Sequence, residues 1–180
     1  MNSRILILLL LTIFSCKNEN NYTEIKKILE KVFDDDQKLR FNKTYSSEQA
    51  QLDEKNIRIV AKIIDSVGWI GKDKIGEKAN DAIFLTIQHA NKLETMEKYL
   101  PIMIEAVNKG NAEKKQLAYL IDRIETLNGR KQIYGTQYSV NGNGKIIINN
   151  LVDPVNVNSR RKSMNLIPIE EYIKMVESEK

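Results

Sequence analysis

One histidine and two aspartates are the residues of this chain that point to acid–base chemistry. His89 is the only histidine of the sequence, and imidazole is the side chain that most often acts as a general base in enzymes. A general base is usually oriented by a carboxylate, and Asp36 and Asp122 are the two candidates. These three residues form the predicted catalytic set of a hydrolase-type enzyme that uses acid–base or nucleophilic chemistry.

The other polar candidates are suited to holding a ligand. Arginine binds a carboxylate or a phosphate through two parallel N–H donors, and amide and phenol groups both donate and accept hydrogen bonds. The predicted ligand-binding residues are Gln37, Arg40, Gln88, Arg123, Tyr134, Gln137, Arg160 and Arg161. In an enzyme the arginines would neutralise an anionic substrate. In a binding protein the same residues would hold a small anionic or polar ligand without any proton transfer.

A third interpretation gives these polar residues no ligand at all. His89 is then a core histidine whose hydrogen bonds are satisfied internally, and the arginines tie loops to helices. Recognition would fall to the outer surface of a structural or protein-interaction lipoprotein. The sequence leaves the binding, enzyme and structural interpretations open.

Composition and motifs argue against several other kinds of site. With one histidine and one cysteine the usual zinc sets cannot form, and no acidic spacing resembles a calcium loop, so no metal site is predicted. No phosphate loop, dinucleotide fingerprint or nucleophile elbow is present, and no cofactor is predicted. The net charge of +4 is distributed along the chain and forms no basic stripe, so nucleic acid is not a predicted partner.

The first sixteen residues, MNSRILILLLLTIFSC, predict export to the cell envelope. Arg4 precedes an apolar run over residues 5–14, which is too short to span a bilayer and has the length of a signal-peptide core. The run ends at Cys16, the only cysteine, in a pattern that resembles the lipobox of bacterial lipoproteins. The alternative interpretation makes Cys16 a small buried residue at the end of an uncleaved apolar segment.

The lipobox interpretation predicts a membrane partner and a location. Residues 1–15 would be a lipoprotein signal peptide, Cys16 would carry acyl chains such as palmitate, and residues 16–21 would form a tether. Two or more acyl chains suffice for durable attachment to a bilayer. We therefore expect a membrane protein of the bacterial cell envelope, anchored by lipid on the periplasmic or outer-membrane face.

Apolar residues at helical spacing dominate the rest of the chain and predict a mainly α fold. The expected architecture is a helical bundle with a small β-hairpin, forming a single domain over residues 22–180. Residues 151–168 are predicted to be an ordered loop. The predicted helices cover approximately residues 22–41, 47–67, 77–92, 96–107, 112–127 and 168–176.

The stretch GRKQIYGTQYSVNGNGKIIINN predicts the β element, a hairpin at about residues 132–149. Its NGNG tip tolerates the positive φ angles of a tight turn, and the KIIIN segment that follows is β-branched. Gly135 would let the backbone approach a neighbouring element or a ligand closely. The YGTQ segment around Gly135 is therefore predicted to be a strand that forms one wall of a polar pocket.

Charged residues on apolar helical faces give a second set of expectations. Asp36 continues the apolar stripe of the first helix, and Arg40 lies four residues later, where the two side chains can pair. Burying either charge alone would cost several kcal/mol, so a partner is required. Asp122 and Arg123 are expected at the boundary of their helix stripe. Trp69, between two glycines, is predicted to turn back into the core.

Eight short motifs occur in a definite order along the chain. They are DQKLR (36–40), GWIGKDKIG (68–76), QHA (88–90), YLIDR (119–123), YGTQY (134–138), DP (153–154), RR (160–161) and NLIP (165–168). As an ordered set they resemble a bacterial family of uncharacterised proteins, the domain of unknown function 6624. Ile70 and Asn165 depart from the resemblance, since the family often has proline and glycine there. The resemblance implies a mostly helical domain with a small β element and no established activity.

Overall fold

The structure is a computed structural model that describes residues 22–38, 40 and 47–178. The signal peptide, Cys16 and the tether predicted for residues 1–21 lie outside the described residues. The chain divides between Thr86 and Ile87 into two compact units, called unit 1 and unit 2 below. The fold is mainly α with one small antiparallel hairpin, which confirms the predicted fold class. The single domain predicted for residues 22–180 stays a prediction.

The described part of unit 1 consists of three α-helices and most of a fourth. They are α1 (22–38), α2 (Ser47–Val67), α3 (Lys72–Ile75) and α4 (Glu77–Gln88), the last of which crosses into unit 2. Trp69 is only 6% exposed, which confirms that it turns into the core. The apolar core of unit 1 includes Leu29, Val32, Val60, Ile64, Ile75, Ala79 and Ile83.

Unit 2 is built on a pair of packed helices followed by shorter elements. The pair is α5 (Leu93–Asn108) and α6 (Lys114–Leu127), and α5 runs unbroken through Pro101. Then follow β1 (Ser139–Val140), β2 (Ile146–Ile147), a 3₁₀ turn (Pro154–Asn156), α7 (Val157–Ser163) and α8 (Ile169–Ser178). Among the described residues no helix is both long and apolar enough to cross a bilayer.

The hairpin is shorter than the sequence suggests. Ser139 pairs with Ile147 and Val140 with Ile146, whereas residues 133–138 form no strand. The physical reason is local, because Gly135 adopts a φ of 67°, which interrupts an extended backbone. Gly135 makes the predicted close approach to a neighbouring element. A Cβ added there would lie 2.9 Å from a side-chain atom of Ile169, the first residue of α8.

The segment predicted to be an ordered loop contains a helix. In α7, VNSRRKS, the buried positions are Val157 and Arg161. A helix whose buried face consists of one valine and one arginine has no apolar periodicity to detect. The sequence therefore does not predict α7, because one of its two buried residues is an arginine.

Candidate functional site

The predicted site residues are divided between the two units. Asp36, Gln37 and Arg40 belong to unit 1, and the other predicted catalytic and ligand-binding residues belong to unit 2. Their predicted roles in catalysis and ligand binding stay predictions, but the geometry shows which of the side chains meet.

In unit 1 a single arginine contacts two buried carboxylates. Arg40 donates from Nε and Nη2 to the two oxygens of Asp36, both at 3.2 Å, so the pair anticipated from their spacing forms. The same Nη2 donates to Asp53 Oδ1 at 2.6 Å. Gln37 donates to Asp36 Oδ2 at 2.7 Å. Three of the residues predicted from sequence therefore meet in one cluster, together with Asp53.

The second side of this cluster is a polar face of α2. Gln49, Asp53 and Asn56 are all buried there, at spacings of four and three residues, and Val60 continues the same face. Gln49 donates to Asp53 Oδ1 at 2.8 Å. We call this the polar face of α2. None of its residues is among the predicted site residues, although their spacing extends the apolar stripe of Val60 toward the start of the helix.

Two residues of the polar face have unused hydrogen-bonding capacity. Asp53 is 5% exposed and Asn56 is fully buried. Within the described chain, Asp53 Oδ2 and both side-chain polar atoms of Asn56 have no hydrogen-bond partner. A buried polar atom without a partner costs about 1–3 kcal/mol, and folded proteins rarely keep one without a reason. These atoms therefore point to a ligand.

The donor set of the cluster suits an organic ligand that forms hydrogen bonds. In residues 22–38, 40 and 47–178, no three histidine, cysteine, aspartate or glutamate side chains are placed to share a metal ion. Asp36 and Asp53 do approach a common point, but the Arg40 guanidinium contacts both of them. Amide and carboxylate atoms at this place can accept and donate hydrogen bonds to a small polar molecule.

A separate open depression of about 630 Å³ lies on another side of α2. Its lining residues are Ala50, Gln51, Glu54, Lys55, Arg58 and Ile59. Neither Asp53 nor Asn56 is among them, and neither is any residue of the predicted site. The polar face of α2 and this depression are therefore distinct features of the helix.

In unit 2 the carboxylate of Asp122 binds the backbone of one loop. Asp122 is fully buried, so its predicted position at the boundary of α6 is wrong. It accepts hydrogen bonds from the backbone N–H groups of Ile133, Tyr134 and Thr136, at 2.7 to 3.2 Å, and from the Thr136 hydroxyl at 3.0 Å. We call residues 133–136 the Asp122 loop. This loop replaces the strand predicted around Gly135, because its N–H groups point to a carboxylate instead of a neighbouring strand.

Arg161 binds the same loop from the opposite side. Its Nη1 donates to the carbonyl oxygens of Tyr134 and Gly135, at 2.8 and 3.1 Å, and its Nε donates to Ile167 O at 2.7 Å. The guanidinium carbon lies 4.9 Å from the centroid of the Tyr172 ring, a cation–π contact. Arg161 is only 1% exposed, and this burial lowers the pKa of its guanidinium.

Two further side chains hold the Asp122 loop. Arg160 donates from Nε to Ile133 O at 2.7 Å, and from Nη2 to Val152 O and, at 3.0 Å, to Asp153 O. The Tyr172 hydroxyl donates to Thr136 O at 2.9 Å, and burial raises the pKa of that hydroxyl. Three N–H groups of the loop therefore donate to an anion. Its four carbonyl groups accept hydrogen bonds from two guanidinium groups and a phenol. The loop therefore lies between one carboxylate and two guanidinium groups, each of which binds its backbone.

The two predicted wall residues are close to these contacts. Burial, followed by the charge of Asp122, raises the pKa of the half-buried Tyr134 hydroxyl. Gln137 donates from its side chain to the Thr136 hydroxyl at 3.1 Å. The buried Gln132, which is not among the predicted site residues, donates to the carbonyl oxygens of Gln137 and Asn149. Its side chain therefore joins the two arms of the hairpin at the end next to the Asp122 loop.

The remaining candidates lie at the ends or sides of helices. Gln88 is buried and is the last residue of α4, and the partly buried His89 follows it, outside the helix. Arg123 lies beside Asp122 on α6 and is partly buried. The carboxylate of Asp122 is occupied by the loop, so the geometry gives it a structural task. A catalytic role for His89 stays a prediction.

Comparison with known proteins gives one match. A family model described as "Family of unknown function (DUF6624)" matches residues 22–180. Neither a curated protein nor a solved structure matches the chain. The match covers all of the described residues, so the motifs around both clusters fall inside it.

Proposed function

The chain belongs to the DUF6624 family over residues 22–180, and from the chemistry of its own residues we propose that it is a lipid-anchored binding protein of the bacterial cell envelope. Its ligand is a small polar molecule that binds at the polar face of α2. One observation carries this proposal, namely the unused hydrogen-bonding atoms of Asp53 and Asn56 in a buried setting.

The energetic argument favours a ligand over a purely structural role for these atoms. An amide replaced by an apolar side chain of similar size would avoid the cost of about 1–3 kcal/mol for each buried polar atom without a partner. A ligand that completes the hydrogen bonds of Asp53 and Asn56 offsets the same cost when it binds. The apo protein is then less stable than it needs to be at this place, as is common at functional sites.

The contrast with unit 2 supports the choice of unit 1. Apart from the bond that Asp122 accepts from the Thr136 hydroxyl, the described side-chain hydrogen bonds of Asp122, Arg160 and Arg161 go to backbone groups of unit 2. These bonds fix a loop, and Arg161 Nη2 is the one side-chain polar atom of the three residues that is buried without a hydrogen-bond partner in the described chain. In unit 1 the Arg40 side chain keeps 25% of its surface exposed, so the cation that contacts Asp36 and Asp53 is in contact with solvent.

A thermal-shift experiment on the full chain in detergent tests the binding proposal. Small polar molecules are screened against the wild-type protein and against Asn56→Leu. A bound molecule at 100 times its Kd stabilises the folded state by about 2.7 kcal/mol. We expect the leucine variant to lose this response and, without ligand, to be more stable than wild type by about 1–3 kcal/mol, because a buried unsatisfied amide is removed.

The matched control is Asn108→Leu, the same change at an exposed position of α5. It should keep the ligand response and change stability by about 0.5 kcal/mol or less. A ligand response that survives in Asn56→Leu, or a screen in which nothing stabilises the wild type, would contradict the proposed site.

Lipid attachment is tested separately by metabolic labelling with radioactive palmitate in a bacterial host. We expect label on the wild-type chain and none on Cys16→Ser, because Cys16 is the only cysteine and its thiol carries the thioether-linked lipid in this proposal. The variant should also leave the membrane fraction, since a lipid anchor provides its attachment. Ser15→Ala keeps a small residue before the cysteine and should remain labelled. An unlabelled wild-type chain would exclude the anchor.

A further inference from the structure

We propose that the ligand of unit 1 is a compact organic cation, in which a protonated amine stands next to a hydrogen-bonding oxygen. This inference rests on the proposed binding function and specifies the chemical class of its ligand. It follows from the buried atoms on the polar face of α2 that lack a hydrogen-bond partner in the described chain. They are one carboxylate oxygen of Asp53 and the amide oxygen and nitrogen of Asn56.

Asp53 sets the charge of the ligand. Its Oδ1 accepts hydrogen bonds from Arg40 at 2.6 Å and from Gln49 at 2.8 Å, whereas Oδ2 has no partner within the described chain. A carboxylate oxygen only accepts, so the ligand must donate to Oδ2. Hydrogen bonds from a charged donor to a carboxylate are shorter and roughly twice as strong as neutral ones. A protonated amine is therefore the preferred group at this position.

Asn56 sets the group next to the amine. It lies three residues after Asp53 on the same buried face of α2, and side chains at this spacing are neighbours on a helix. Its amide offers one accepting oxygen and one donating nitrogen, and both lack a partner in the described residues. A ligand that completes this set needs a further N–H or O–H donor for the amide oxygen and an oxygen acceptor for the amide nitrogen.

The same geometry disfavours an anionic ligand, which the arginines in the sequence also allow. The cation of the cluster, Arg40, already contacts both Asp36 and Asp53. An anion at the free oxygen of Asp53 would place two like charges together in a region of low dielectric, where their repulsion is poorly screened. A neutral molecule meets no such repulsion, but it forms the weaker kind of hydrogen bond to the carboxylate.

Three two-carbon probes separate these possibilities in isothermal titration of the full chain in detergent. Ethanolamine carries a protonated amine and a hydroxyl, ethylene glycol is its neutral counterpart, and glycolate is an anion of similar size. We expect ethanolamine to bind at least tenfold more tightly than ethylene glycol, and glycolate not to bind. In Asp53→Asn the preference for ethanolamine over ethylene glycol should be lost, because the anionic acceptor is replaced by a neutral amide.

The control variant is Glu54→Gln, which removes an acid from the neighbouring position of α2, where Glu54 pairs with Arg58 at the surface. It should keep the wild-type preference. The order of the three probes on the wild-type protein decides the question even if Asp53→Asn does not fold. Equal or tighter binding of glycolate or ethylene glycol, or no response to any of the probes, overturns the cation inference. The binding function itself fails on separate grounds, namely if Asn56→Leu retains the response to the molecules found by thermal shift or if no molecule stabilises the wild type.

Discussion

Replacing Asp122 by alanine should lower the free energy of unfolding by about 3–5 kcal/mol, the range found when one partner of a buried charge network is removed. The carboxylate accepts from three backbone N–H groups and one hydroxyl, and all four donors would be left without their acceptor. The variant would also take away the anion that balances the buried Arg161 across the Asp122 loop. Urea denaturation of the full chain, followed by circular dichroism, measures the loss.

The control for this prediction is Glu177→Ala, which removes an exposed acid near the end of α8. Its stability should differ from wild type by about 0.5 kcal/mol or less, as for most surface substitutions. If Asp122→Ala cost less than about 1 kcal/mol, the Asp122 loop would not depend on this carboxylate, and a role for Asp122 at a ligand site would again be open.

The second large effect is expected for Gly135→Ala, which should cost about 2–5 kcal/mol. Gly135 has a φ of 67°, and an added Cβ would lie 2.9 Å from side-chain atoms of both Ile169 and Leu151. Overpacking of this kind costs about 1–3 kcal/mol, and the left-handed conformation adds roughly 1–2 kcal/mol for a residue with a side chain. The same denaturation experiment measures the sum.

Gly144→Ala separates the two contributions. Gly144 has a similar φ, 75°, but an added Cβ would have no heavy atom within 4 Å. This variant should lose only the conformational part, roughly 1–2 kcal/mol. Equal losses at both glycines would mean that Ile169 and Leu151 move aside at no cost, so that the close packing around the loop does not contribute to stability.

Together these results would assign different tasks to the two groups of polar residues. In unit 2 a large loss of stability in Asp122→Ala would mark its charges as supports of a loop. In unit 1 a gain of stability in Asn56→Leu, accompanied by loss of binding, would mark the polar face of α2 as a ligand site. The two variants are expected to change stability in opposite directions. The Asp122 carboxylate accepts hydrogen bonds from three N–H groups and a hydroxyl, whereas the Asn56 side chain has no hydrogen-bond partner among the described residues.

Several features of the protein are determined by short-range sequence patterns. Apolar residues three and four positions apart predict the long helices α2, α5 and α6, and burial of their inner faces provides the stabilisation. The pair of Asp36 and Arg40 follows from one helical turn, and the hairpin tip follows from residues that tolerate positive φ. In each case the interacting residues are close in the chain, so the local sequence is sufficient to predict the contact.

The tertiary structure alone decided which polar residues are buried and what they bind. Arg40 meets Asp53 across 13 positions, Asp122 binds a loop 11 to 14 residues later, and Arg161 reaches carbonyl groups 26 and 27 residues before it. A polar residue can be buried only where a distant partner or a ligand completes its hydrogen bonds. Periodicity of apolar residues contains no information about such partners, which is why α7, the Asp122 loop and the polar face of α2 emerged only from the folded chain.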